Sequence, residues 1–205
     1  STTLLNMLFK NVGAMAIMFA TIEISKKMDK IFMTKYYYLD TAMIPEIIYH
    51  EFSHVALSDK LNPVHSVPVI EGMADYFATR IAKTVKMYKG IKKFSTNAAK
   101  NAKSKAVYNP LHEHKNNATS DFTLSFLWRV KAEMDKQNNK RVKTGRPIIA
   151  NPDQLIYEAR NQIDESSSIL ELTQALRKTC DIESVCENKR LGVGVLNLVY
   201  AKKGF

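Results

Sequence analysis

The strongest constraint on the fold lies in residues 47–78, which read IIYHEFSHVALSDKLNPVHSVPVIEGMADYFA. In this stretch His50 and His54 stand four residues apart. On an α-helix, side chains with this spacing leave the same face about 6 Å apart, close enough to share one ligand. Apolar residues recur around the two histidines at helical spacing, and Pro45 suits the first turn of such a helix. The pattern therefore predicts a helix over residues 42–57.

The rest of the chain also favours helices, because only 7 glycines and 6 prolines occur among its 205 residues. A second helix is expected over residues 66–82, after a loop at residues 58–63. Further helices are predicted at residues 120–136, after Asn151-Pro152, and after Ser168, which has the capping-box spacing to Glu171. Residues 138–152 are interpreted as a surface loop. The tail at residues 191–200 fits either a strand or a helix.

The same stretch carries the donor groups of a candidate metal site. On a helix the imidazoles of His50 and His54 lie about 6 Å apart, which suits one zinc ion with bonds to nitrogen of about 2.0–2.1 Å. Glu71 supplies a third ligand near the start of the second helix. Asp75, one turn later, can accept the other ring N–H of a ligating histidine and fix its tautomer. Glu51 follows the first histidine directly and can take the proton of a water molecule at the metal.

These residues resemble the zinc motifs of the gluzincin metallopeptidases, the thermolysin-like and fungalysin-like group, which carry H-E-x-x-H on one helix and E-x-x-x-D on the next. The chain matches these motifs residue by residue at His50, Glu51, His54, Glu71 and Asp75. The resemblance covers residues 40–85. It implies a zinc-dependent peptidase that hydrolyses peptide bonds through a metal-activated water, with Glu51 as the general base. The metzincin pattern fails, because Lys60 and Leu57 stand where its third histidine and its glycine would fall.

The resemblance also implies the zincin-like metallopeptidase fold. Residues 1–40 contain mixed apolar segments, and YYYLD at residues 36–40 has the aromatic content of a strand. The predicted fold class is therefore α+β and predominantly helical, with a small N-terminal sheet and a helical C-terminal part. We expect a single compact domain over residues 1–205, in which residues 1–90 bind zinc and residues 91–205 complete the cleft.

Gluzincins also place a histidine ahead of a helix with an aliphatic-Trp or aromatic pair, and this histidine donates a hydrogen bond to the oxyanion of the tetrahedral intermediate. In this chain His114 and His112 precede Trp128, and the resemblance favours His114 for that role. Tyr108 is a further candidate for the same role. His65 is a reserve metal ligand.

The net charge of +10 is unevenly distributed, because residues 76–112 contain no Asp or Glu. This Lys83–Lys105 region contains Lys83, Lys86, Lys89, Lys92, Lys93, Lys100, Lys103 and Lys105. Such a surface suits an anionic partner, whereas a solvated lysine face is the simpler interpretation. No specific nucleic acid is expected, since the lysines lack interleaved aromatic residues. The alternative function is a non-catalytic basic domain that docks on an anionic polymer such as cell wall, nucleic acid or a membrane surface.

Cys180 and Cys186 stand six residues apart, so they either close a small disulfide loop or remain free thiols. A disulfide would favour an exported protein. The apolar run at residues 12–22 is too short to span a bilayer and is interpreted as a buried strand or helix, because no clear cleavage site follows it. An exported location (periplasm, cell envelope or secreted) is favoured over the cytoplasm.

Overall fold

The computed structural model describes residues 45–57, 68–86, 100–109, 116–164, 167–182 and 184–205. These residues form six α-helices, and a turn of 3-10 helix at Arg160–Gln162 continues the fourth. The helices are α1 Pro45–Leu57, α2 Pro68–Ile81, α3 Asn116–Lys143, α4 Pro152–Ala159, α5 Ile169–Cys180 and α6 Lys189–Lys203.

The prediction of an α+β fold is wrong. The described residues contain no β-strand, and their extended pairings are two isolated bridges, Lys86 with Asn101 and Ala150 with Cys186. The zincin-like arrangement of a sheet beside helices is therefore not seen. Residues 1–40, where the small sheet was expected, lie outside the described residues. The tail at residues 191–200 belongs to α6, which packs against α3 and α5.

The predicted starts of α4 and α5 are confirmed, whereas α1 begins three residues and α2 two residues after its predicted start. Both α1 and α2 begin at a proline, a residue whose missing N–H costs nothing in the first turn. The capping box is present at α5, where the Ser168 hydroxyl accepts from the Glu171 backbone N–H and the Glu171 carboxylate accepts from the Ser168 N–H. At α4, the Asn151 side chain accepts from two backbone N–H groups of the first turn.

Helix α3 is longer than predicted, since it runs to Lys143 and includes the first part of the expected 138–152 loop. The extension contains the buried Asn138. Its side-chain amide donates to the carbonyl of Ala150 and accepts from the N–H of Ile149, with both distances 2.7 Å. The helix thus carries a polar residue that holds the returning chain, a role that hydrophobic periodicity does not reveal.

One hydrophobic core receives residues from all six helices. Helix α2 packs against both α1 and α3, and ten of its fourteen residues are buried. The first 90 residues and the later helices therefore share a core within the described part of the chain. The extent of the domain over residues 1–205 stays a prediction.

Hydrogen bonds join α4 and the 3-10 turn after it to the two helices that carry the candidate ligands. Asp153 accepts a hydrogen bond of 2.5 Å from Tyr76 and two of 3.0 Å from Arg80, both on α2. The 3-10 turn behind α4 reaches α1, because Arg160 donates to the carbonyl of Ala56 at 3.2 Å. These bonds restrict how far α1 and α2 can move relative to each other.

Cys180 and Cys186 form a disulfide, which settles the alternative that the sequence left open. Both residues are buried; Cys180 is the last residue of α5, and Cys186 lies in the connection between α5 and α6. Gly192 allows α6 to pass close to this bond, since a Cβ atom there would stand 2.3 Å from the Cys180 sulfur. A side chain at position 192 would force the helix away from the disulfide.

Candidate metal centre

Three side chains converge where α1 packs against α2. The Nε2 atoms of His50 and His54 lie 2.9 Å apart. Each of these nitrogens is 3.2 Å from a carboxylate oxygen of Glu71, which reaches across from α2. Within the described part of the chain, these residues are the one group of His, Cys, Asp and Glu side chains close enough together to hold a metal ion.

The separation of the donor atoms fits a zinc ion. A tetrahedral ion with bonds of about 2.0–2.1 Å holds its ligand atoms about 3.3 Å apart. The distances of 2.9–3.2 Å in this group are close to that value. Two imidazole lone pairs at this distance repel each other unless a proton or a cation lies between them. Two nitrogens and one carboxylate also leave one position of a four-coordinate ion open.

Asp75 fixes the orientation of the first imidazole. Its Oδ1 atom lies 2.8 Å from Nδ1 of His50, and its side chain is fully buried. Because a carboxylate accepts, Nδ1 carries a proton, and Nε2 faces His54 and Glu71. The hydrogen bond to His50 is present, and the role of Asp75 in orienting a metal ligand stays a prediction.

Two partners of Asp75 were missed by the sequence analysis. Lys100 donates to Asp75 Oδ2 at 2.5 Å and to the Ser120 hydroxyl at 2.6 Å, and Ser120 donates to the same oxygen at 3.2 Å. Lys100 lies 25 residues from Asp75 within a lysine-rich stretch, so no local pattern distinguishes it. The only available signal was indirect, since a carboxylate buried in a core requires a partner.

The Lys83–Lys105 region is accordingly not a uniform face. The side chain of Lys100 is only 16 % exposed because it turns inward onto Asp75. The other lysines of the region that the structure describes are exposed, namely Lys83, Lys86, Lys103 and Lys105. Docking on an anionic partner through this region stays a prediction.

Gly72 allows the ligand-bearing helix α2 to approach α3. A Cβ atom at this position would stand 2.4 Å from Cβ of Thr123 and 2.7 Å from the backbone oxygen of Ser120. Contacts this short do not occur, so the helices can be this close only because residue 72 has no side chain. The close approach brings Ser120 on α3 to Asp75 on α2.

The remaining candidates have different placements. Glu51 lies on α1 with an exposed side chain, open to solvent and to a substrate. Tyr108 is half-buried, and its ring stacks on that of the C-terminal phenylalanine with centroids 4.6 Å apart. His112, His114 and His65 lie outside the described residues. Their predicted roles therefore stay predictions.

The charges around the cluster shift the pKa of His50 when no metal ion is present. Burial lowers this pKa, but hydrogen bonds to Asp75 and Glu71 outweigh burial and raise it to about 9. The pKa of Glu71 moves downward, because the two histidines outweigh the opposing effect of burial. A metal ion and a proton therefore compete for the same imidazole nitrogen.

We expect the metal-free protein to lose stability as the pH rises from 6.5 to about 9. Because the pKa of His50 is higher in the folded protein, protonation of His50 stabilises the folded state, fully so below its unfolded pKa of 6.5. This contribution disappears as the pH rises through the folded pKa of about 9. The loss is on the order of 3 kcal/mol at most. Urea unfolding with a chelator present measures it, and His50→Ala serves as a control whose stability should change less over the same range. A metal-free protein that is equally stable at pH 6.5 and at about pH 9 would contradict this prediction.

Comparison of the chain with protein-family models, with curated proteins and with solved structures gives no match. Among the described residues, no helix has the length and apolar character needed to cross a membrane.

Proposed function

We propose that this protein is a zinc-dependent peptidase that hydrolyses peptide bonds. The observation that carries the proposal is the convergence of His50 Nε2, His54 Nε2 and the Glu71 carboxylate within 2.9–3.2 Å of one another. Glu51, which directly follows His50 on α1, has an exposed side chain, so this side chain is available for chemistry rather than needed for the core.

Each residue has a role in the proposed reaction. His50, His54 and Glu71 hold the zinc ion, and Asp75 keeps the first ring oriented. Zinc, when bound, polarises the substrate carbonyl and lowers the pKa of a water molecule. Glu51 takes the proton of the attacking water and passes it to the leaving amine. His114, or His112 in its place, remains the predicted hydrogen-bond donor to the oxyanion.

The location proposed for the protein is outside the reducing cytoplasm. The buried Cys180–Cys186 disulfide supports this, because disulfides persist mainly in oxidising compartments.

The proposal is tested by measuring zinc content and peptide hydrolysis together. The purified protein is expected to bind one zinc ion per chain and to cleave peptides in a mixed library. His54→Ala should lose both properties, while circular dichroism shows that its helices remain. If the unaltered protein bound no zinc, or cleaved peptides equally well after removal of zinc by a chelator, the proposal would be wrong.

A further inference from the structure

We propose that Lys100 is a positioning residue of the metal centre, which acts through Asp75 to hold His50 in its ligating orientation. The inference rests on the zinc site of the proposed function, and it adds a residue that the resemblance to gluzincins does not assign. It also links the segment at residues 100–109 to the ligands on α1 and α2.

The two carboxylate oxygens of Asp75 have different partners. Oδ1 accepts from His50 at 2.8 Å, while Oδ2 accepts from Lys100 at 2.5 Å and from Ser120 at 3.2 Å. The Asp75 side chain has no exposed surface. Water therefore cannot replace a missing donor without rearrangement of the core.

Fixing Oδ2 also fixes Oδ1. A carboxylate turns readily about its bond to Cβ unless both oxygens are held. Here Oδ2 is held from two directions, by Lys100 and by Ser120 on α3. Because Lys100 also donates to Ser120 at 2.6 Å, the three groups form a closed triangle. The remaining oxygen points in one direction, and that direction sets the ring plane of His50.

Lys100 reaches this position because the backbone near it is anchored independently. The N–H of Ala102 donates to the carbonyl of Val85 at 2.9 Å, and Ala102 is buried. Lys86 and Asn101 form a bridge beside this bond. Removing the ammonium group should therefore leave the segment in place, while it removes the hydrogen bonds of Lys100 to Asp75 and Ser120 and its ion pair with Asp121 at 3.9 Å.

A positioning role and a simple charge effect predict opposite changes. Loss of a nearby positive charge alone would tighten the binding of any cation. Loss of the Asp75 orientation would weaken zinc binding, because the substitution of such outer partners typically costs about 10- to 100-fold in affinity. The sign of the change in the zinc dissociation constant thus separates the two roles.

The test measures the zinc dissociation constant by competition with a chromophoric chelator, together with the visible absorption spectrum of the cobalt-loaded protein. Lys100→Met is expected to weaken zinc binding by about 10-fold and to change the cobalt spectrum. Lys103→Met removes an exposed lysine nearby and should leave both unchanged. Lys100→Arg keeps a cationic donor and should recover part of the loss. Zinc binding by Lys100→Met that is unchanged or tighter overturns the inference.

A double-mutant cycle tests whether the effect passes through Asp75. Asp75→Asn alone is expected to weaken zinc binding by about 10- to 100-fold. In that background, Lys100→Met should produce little further change, whereas fully additive losses would overturn the inference. If Lys100→Met does not fold, Ser120→Ala removes the other donor to Oδ2 and should weaken binding to a smaller degree. Binding unaltered by Ser120→Ala would then overturn the inference.

The same measurements distinguish this inference from the proposed function. If the unaltered protein binds no zinc, both are wrong. If it binds zinc and cleaves no peptide, the peptidase assignment fails while the role of Lys100 can still be read from the affinities and spectra. If it binds zinc and cleaves peptides but Lys100→Met behaves like the unaltered protein, only the positioning role is wrong.

Discussion

Glu51→Gln is expected to lower kcat/KM for peptide cleavage by about 100- to 10,000-fold, the range that general acid–base catalysis contributes. Glutamine has the size of glutamate but cannot accept the proton of the attacking water. The side chain of Glu51 is exposed and lies outside the ligand group of His50, His54 and Glu71. Zinc content and unfolding midpoint should therefore stay close to those of the unaltered protein.

A matched control comes from the same helix. Glu46 lies in the first turn of α1, and Glu46→Gln removes an equal charge away from the ligands. Its kcat/KM should remain within a few-fold of the unaltered value. Cleavage by Glu51→Gln at the normal rate would reject the assignment of the general base, even if zinc is present.

Gly72→Ala is expected to destabilise the fold and to weaken zinc binding at the same time. The added methyl group would overlap Thr123 and the backbone oxygen of Ser120, at 2.4 Å and 2.7 Å. Since backbone cannot rotate aside, α2 and α3 must separate, at a cost of about 1–3 kcal/mol or more. The separation would draw Asp75 away from Ser120 and disturb the support of the metal site. Urea unfolding and zinc affinity measure the two effects.

Gly194→Ala provides the control for this substitution. Gly194 also lies in a helix, α6, but a Cβ atom there meets nothing within 4 Å. Alanine is favoured over glycine in a helix by roughly 0.5–1 kcal/mol, so Gly194→Ala should be neutral or stabilising. Equal loss of stability in both variants would show that the contact between α2 and α3 is not the cause.

The sequence predicts more of the candidate site than of the fold, because the residue spacing that indicates the site is a local pattern. A spacing of four residues on a helix fixes the relative directions of His50 and His54 whatever surrounds them. The placement of Glu71 and Asp75 one helical turn apart works in the same way. Helix starts were predictable for a similar reason, because a proline or a capping serine acts on its own turn.

Fold class and supporting contacts depend on distant parts of the chain. The apolar run at residues 191–200 suits a strand and a helix equally, and packing against α3 and α5 decides the outcome. The sequence at the end of α3 predicts a loop, because this segment is polar and has no apolar residues at helical spacing. The contact of Lys100 with Asp75 joins two residues whose neighbours in sequence give no indication of it.

The division of the ligands between α1 and α2 has a consequence for how long the protein survives. An ion bound by His54 and Glu71 would cross-link two helices and so exclude many conformations of the unfolded chain. Unfolded or partly opened chains are what proteases degrade. The supply of metal would then set the lifetime of the protein, with the loaded form resistant to digestion and the stripped form removed.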